Sequence, residues 1–97
     1  MTVNKNASSN AIVTVVGNDS VGIIAKVSGF LAERKVNIED VNQSILSGCF
    51  VMMMMVDLSG SASDLETLKA ELTALGGSMN VSISIWHEDV FAAMHRI

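Results

Sequence analysis

The stretch Val36-Asn-Ile-Glu-Asp-Val-Asn-Gln-Ser-Ile-Leu-Ser-Gly-Cys-Phe-Val-Met-Met-Met-Met-Val56 holds two extended segments around a turn signal, Ser47-Gly48. In the first, Val36 and Ile38 share one parity while Val41, Gln43 and Ile45 share the other, and this change of phase predicts a bulge near Glu39 and Asp40. Beyond Cys49, Phe50 to Val56 are apolar at every position, as in a strand whose two faces are both covered. The stretch therefore reads as a hairpin whose second strand lies in the middle of a sheet.

Working outward, Ala11-Ile-Val-Thr-Val-Val16 is β-branched and nearly all apolar and is ended by Gly17, which predicts a second buried strand. Asn18-Asp-Ser20 supplies N-cap chemistry, and Ile23, Val27, Phe30 and Leu31 recur on one helical face, so a helix is expected from about Val21 to Lys35. The basic pair Arg34-Lys35 at its end complements the helix dipole. After Gly60 and Ser61, Ser63-Asp-Leu-Glu66 has the form of a capping box. Leu65, Leu68, Leu72 and Leu75 mark a second helix, expected to end at Gly76-Gly77 unless packing carries it to Met79. Val81, Ile83 and Ile85 alternate with Ser82, Ser84 and Trp86, the pattern of an edge strand with one wet face. Val90, Phe91, Met94 and Ile97 then share helical spacing, with Glu88 and Asp89 in front and His95 and Arg96 behind. The order is β-α-β-β-α-β plus a short C-terminal helix. That is the α+β class: a ferredoxin-like βαββαβ sandwich, a four-stranded antiparallel sheet with two helices on one face.

At 97 residues the chain has the size of one domain and buries about 60 to 65% of its unfolded surface. Hydrophobic residues make up 49% and proline is absent, which excludes low-complexity and collagen-like classes. Residues 1–10 are polar, read as a disordered tail, with 11–97 as the single domain; they form neither a secretory signal nor a membrane span. The lone Cys49 fits a reducing, cytoplasmic compartment. Six basic residues, scattered among ten acidic ones, argue against a nucleic-acid partner.

Little in the sequence carries catalytic chemistry. Glu39 and Asp40 alternate across a strand and form no acid-base couple without the bulge. His87-Glu88 begins like a zinc-protease motif, but Phe91 stands where the second ligand is needed, and no metal is expected. No nucleophile set is recognisable, so neither a catalytic residue nor a cofactor is assigned. The loop Gly17-Asn-Asp-Ser-Val-Gly22 offers more. At a helix start, free backbone N–H groups and the positive dipole end suit a carboxylate, Asp19 suits an ammonium, and Gly22 permits close approach. An ordinary capped strand-to-helix turn would read the same way. Asn37 either hydrogen-bonds a ligand beside that loop or solvates a strand start. Met52 to Met55 put two adaptable side chains on each face of their strand, for core filling or for a re-packing interface.

From about Ala11 to Ile97 the chain resembles the ACT domain, and within it the small stand-alone bacterial and archaeal ACT proteins. The resemblance rests on Val15 to Ser28, on Val36-Asn-Ile-Glu-Asp-Val-Asn-Gln-Ser44, and on the tail His87 to Ile97. Ser20-Val21 stands where many amino-acid-binding ACT loops carry Arg-Pro. The resemblance implies a regulatory module that binds an amino acid at a domain-domain interface, through the loop after the first strand and the start of the second. Carried over by position, it implicates Asn18, Asp19, Ser20, Val21, Gly22, Ile23, Asn37 and Ile38. The expectation is a homodimer with a small amino-acid ligand, or alternatively an interaction subunit for a separate enzyme or regulator; no membrane partner is expected.

Overall fold

Alternation along two apolar strands builds the centre of the molecule. In the computed structural model, which describes residues 9–18 and 22–94, strand β1 (Asn10–Gly17) pairs antiparallel with strand β3 (Cys49–Asp57). Val13 and Val15 of β1 and Met52 and Met54 of β3 are fully buried on the same face. Helix α1 (Ile23–Glu33) covers that face with Ile23, Val27 and Leu31, and helix α2 (Leu65–Met79) with Leu68 and Leu72. Each such side chain contributes roughly 1.5–3 kcal/mol by leaving water. Strand β2 (Asn37–Leu46) adds to β3, and β4 (Ser82–His87) to the other side of β1, giving the antiparallel order β2-β3-β1-β4. Helix α3 (Glu88–Met94) follows β4 directly. This is the expected ferredoxin-like α+β sandwich.

The hairpin forms as its sequence predicts. Ser47 and Gly48 both take positive φ, 52° and 77°, as the two-residue turn of a right-twisted hairpin requires. The register slips between Ile38 and Asp40, leaving Glu39 as the bulged residue.

Several boundaries differ from the sequence reading. Asn10 already belongs to β1, and the Ser9 carbonyl accepts the Leu58 N–H at 2.8 Å; residues 1–8 of the expected tail lie outside the described residues. Helix α1 begins at Ile23, two residues late, because Gly22 holds the cap position. Its basic end serves packing more than the dipole: Arg34 Nε donates to Glu71 Oε1 at 2.8 Å, and the guanidinium lies 3.5 Å over the Phe30 ring, tying α1 to α2. The cap of α2 is Asp64, one residue beyond the expected Ser63, and it accepts the Thr67 N–H at 2.8 Å. Hydrogen bonds from the Thr67 side chain and then from its backbone hold the Asp64 carboxyl below the usual carboxylate range.

The second helix also runs through Gly76-Gly77 to Met79, where Asn80 in the left-handed region closes it. The reason is contact with β4. A Cβ at Gly76 would stand 2.7 Å from the Val81 carbonyl oxygen, so the missing side chain lets helix and strand touch.

The largest departure concerns the face of the sheet turned away from α1 and α2. Two strands apolar on both sides were expected to be covered on both, yet Val16 is 41% and Met53 37% exposed. The C-terminal stripe, one candidate cover for that surface beside a partner subunit or solvent, has no fully buried residue among those described: Val90 and Met94 are about half exposed.

Two neighbouring glycines separate close approach from helix propensity. Gly76→Ala forces a backbone oxygen away and should cost about 1–3 kcal/mol in urea unfolding. Gly77→Ala, with open space around its Cβ, should stabilise by up to about 1 kcal/mol. Equal effects of the two would contradict the close α2–β4 contact.

Candidate functional site

Of the loop implicated by sequence, the structure describes both shoulders, Asn18 and Gly22; Asp19, Ser20 and Val21 lie outside the described residues. Asn18 is exposed at the end of β1. Gly22 is the N-cap of α1 at φ 75° and ψ −10°, and its carbonyl accepts the Lys26 N–H at 3.0 Å. Only glycine takes this backbone conformation without penalty, which explains the residue better than crowding does, since no atom lies within 4 Å of a built Cβ.

The N-cap position itself falls to Gly22; among the described residues no side chain caps α1, and its first turn carries no acidic residue, while the capping expected of Asp19 and Ser20 lies outside the described residues. The first-turn N–H groups and the positive end of the dipole stand at the helix end that follows this loop. Ile23 is buried in the core, so only its backbone is available to a ligand.

Asn37 and Ile38 open β2 at the far end of the sheet. Asn37 pairs with Asp57, which also pairs with Asn10, the first residue of β1, whereas Gly17 pairs with Phe50. Seven residue steps of strand, about 23 Å, separate the two rows. Within one chain, therefore, Asn37 does not lie beside the loop. This separation was available from the topology alone: β1 and β2 run parallel, so the end of one and the start of the other sit at opposite ends. Asn37 is exposed and Ile38 is half-buried against the core. They stand on an edge strand, and along it Val41, Ile45 and Leu46 are 40–66% exposed.

The remaining candidates have local roles. The Asp40 carboxylate accepts its neighbour's N–H, from Val41, at 3.0 Å. The His87 Nδ1 accepts the Asp89 N–H at 3.1 Å, acting as a cap for α3. Cys49 is half-buried beside the hairpin turn. Among the described residues no three His, Cys, Asp or Glu side chains cluster as metal ligands, and no helix is long and apolar enough to cross a membrane.

A four-stranded antiparallel sheet with two helices on one face and an exposed outer strand defines a small ferredoxin-like α+β module. Residues 9–85 match the ACT domain model, and the chain belongs to the ACT domain family. It is 47% identical over 87 residues to a UPF0237 protein of Listeria innocua, covering 90% of this chain and 98% of that one. A UPF0237 protein of Methanocaldococcus jannaschii is 44% identical over 89 residues, covering 92% and 99%. Among solved structures, an ACT domain protein from Streptococcus pneumoniae superposes with a TM-score of 0.78 at 42% identity, over 87% of this chain and 94% of that one. A formyltetrahydrofolate deformylase from Pseudomonas syringae pv. tomato matches over 78% of this chain but only 26% of its own, with a TM-score of 0.71 and 26% identity. ACT domains are regulatory domains of the small-ligand-binding kind.

The cap conformation at the loop is directly testable. Gly22→Ala places a Cβ in left-handed backbone and should cost about 1–2 kcal/mol in thermal or urea unfolding. Gly22→Asn, which tolerates that region better, should cost clearly less. An Ala variant as stable as the wild type would mean that Gly22 is not held at positive φ.

Proposed function

We propose that this ACT domain binds an amino acid, or a metabolite presenting the same carboxylate and ammonium pair, between two copies of the chain, and performs no chemistry of its own. One observation carries the reading: the two implicated segments lie at opposite ends of one sheet, on a module whose outer strand β2 is free to pair. Antiparallel pairing of β2 with the β2 of a second copy reverses the partner's strand direction. The partner's β2 start then comes to the end at which this chain's loop sits.

In that arrangement the ligand carboxylate meets the first turn of α1, and Asp19 faces the ammonium. Asn37, from the other copy, hydrogen-bonds the ligand. Ile38 and the exposed Val41 and Ile45 support the joint. Because both copies contribute, a ligand favours one dimer arrangement over others, and regulation follows as a shift of population. A separate enzyme or regulator in the cytoplasm reads that shift.

Isothermal titration with a panel of amino acids tests the proposal. One or a few should bind, and Asp19→Asn should weaken them about tenfold to a hundredfold through loss of a charge-assisted hydrogen bond. No binding at millimolar concentrations, or unchanged affinity in Asp19→Asn, would overturn it in favour of an interaction subunit that needs no small ligand.

A further inference from the structure

The sheet face opposite α1 and α2 is half dressed. Its cross-strand rows follow from the register: Asp40, Met55, Ile12 and Trp86 form one, and Asn42, Met53, Thr14 and Ser84 the next. A third runs through Ser44, Val51, Val16 and Ser82. The face is thus a mainly apolar stripe on β3 and β1, broken by Thr14 and rimmed by Asp40, Asn42 and Ser44 on β2 and by Ser82, Ser84 and Trp86 on β4.

Helix α3 packs back against β1 and β4. Ile12 points away from the main core and takes no part in it, yet is only 7% exposed. The Ile12–Trp86 end of the β1–β4 half is therefore roofed, while Val16 at its other end stays 41% exposed. Among the described residues nothing roofs the β2–β3 half: there a concavity of about 250 Å³ opens between the polar rim of β2 and the side chains of Val51, Met53 and Met55.

We propose that this bare half receives the α3 helix of a second copy, in a two-fold stack of open face on open face. Topology and size both favour this arrangement. A two-fold axis parallel to the strands and lying between the two sheets maps the order β2-β3-β1-β4 onto its reverse, so the half roofed by α3 in each copy falls opposite the bare half of the other. Because strand ends are preserved, α3 arrives at the end of the sheet where it already sits, the row of Asp40 and Met55.

The dimensions agree. Helix α3 has 7 residues, about 10 Å of length and about 10 Å of diameter, while two strands are about 10 Å wide and four residues of strand about 13 Å long. The chemistry agrees as well. Val90 and Met94 of α3 remain about half exposed within their own chain, and the surface offered to them is methionine-rich and adaptable. The Asp40 carboxylate accepts the Val41 N–H with one oxygen and stands at the rim, where it stays in contact with water.

One chain thus carries both an apolar helix stripe without a full seat and a seat without a helix, and the symmetric stack satisfies each with the other. The interface uses neither the β1–α1 loop nor the β2 edge. It therefore stands or falls independently of the ligand reading.

Cross-linking between two single-cysteine chains tests the stack, because such chains can form only intermolecular bonds. In a Cys49→Ala background, one chain carries Asn42→Cys or Ser44→Cys on the open face of β2, and the other carries Val90→Cys on α3. A third pairs with each as control, carrying Thr73→Cys on the exposed side of α2. Mixed and mildly oxidised, the β2 and α3 chains should give disulfide-linked heterodimer as the main product, with control pairs at collisional background. In a second measurement, Met53→Asp should keep its circular dichroism spectrum while its assembly in sedimentation weakens by about tenfold or more. Background-level linkage from both β2 positions, or Met53→Asp assembling like the wild type, would overturn the proposal; so would a seat filled instead by another polypeptide, since the purified chains would then not link.

Discussion

Everything in this molecule hangs on the antiparallel pairing of β1 with β3. Eight residues of each strand are in register, from Asn10 opposite Asp57 to Gly17 opposite Phe50. Pairing in this register sends Val13, Val15, Met52 and Met54 to one side, where α1 and α2 bury them completely. A slip of one strand by one residue would turn its own pair toward the opposite side, bringing Thr14 or Met53 into the core instead. The hairpin turn at Ser47-Gly48 and the bulge at Glu39 then place β2, and the close contact at Gly76 places β4.

The same pairing determines where function can reside. With β1 central and β2 at the edge, the crossover through α1 returns the chain to the far end of the sheet, so the loop after β1 and the start of β2 lie about 23 Å apart. A small ligand cannot bridge that span in one chain. Among the described residues three features find no partner: the start of α1, the β2 edge, and the half-roofed open face. A second copy can meet each of them, the first two together and the third by a different symmetry axis. An ACT domain of this size is, on this account, a half-site.

Much of this was legible in the residues. The apolar run Phe50 to Val56 placed its strand at the centre, the phase change at Glu39 located the bulge, and the serine-isoleucine alternation of β4 marked an edge, because each is a local pattern with one physical cause. What escaped were features decided by contacts between distant segments. Asp64 displaced Ser63 as cap by geometry at Thr67, and the end of α2, left open between Gly76-Gly77 and Met79, fell to Met79 because β4 packs against Gly76. Arg34 left the dipole for Glu71, a partner 37 residues away. The exposure of Val16 and Met53 was hidden because an all-apolar strand reads the same whether its second face meets its own helix or another chain. Of the candidate site, the residue types were legible; the distance between its two halves was encoded in the order of strands, not in any one motif.

Complementation between two disabled chains tests the shared site most directly. One chain carries Asp19→Asn together with Gly22→Val and so lacks a working loop; the other carries Asn37→Ala and lacks the β2 contribution. Neither should bind the amino acid that the wild type binds. After the two are mixed and their subunits allowed to exchange, titration should recover wild-type affinity at about one site in four, since only mixed dimers hold one site built from an intact loop and an intact Asn37. No recovery on mixing, with mixed dimers demonstrably present, would mean that the loop and Asn37 do not share a ligand across two chains.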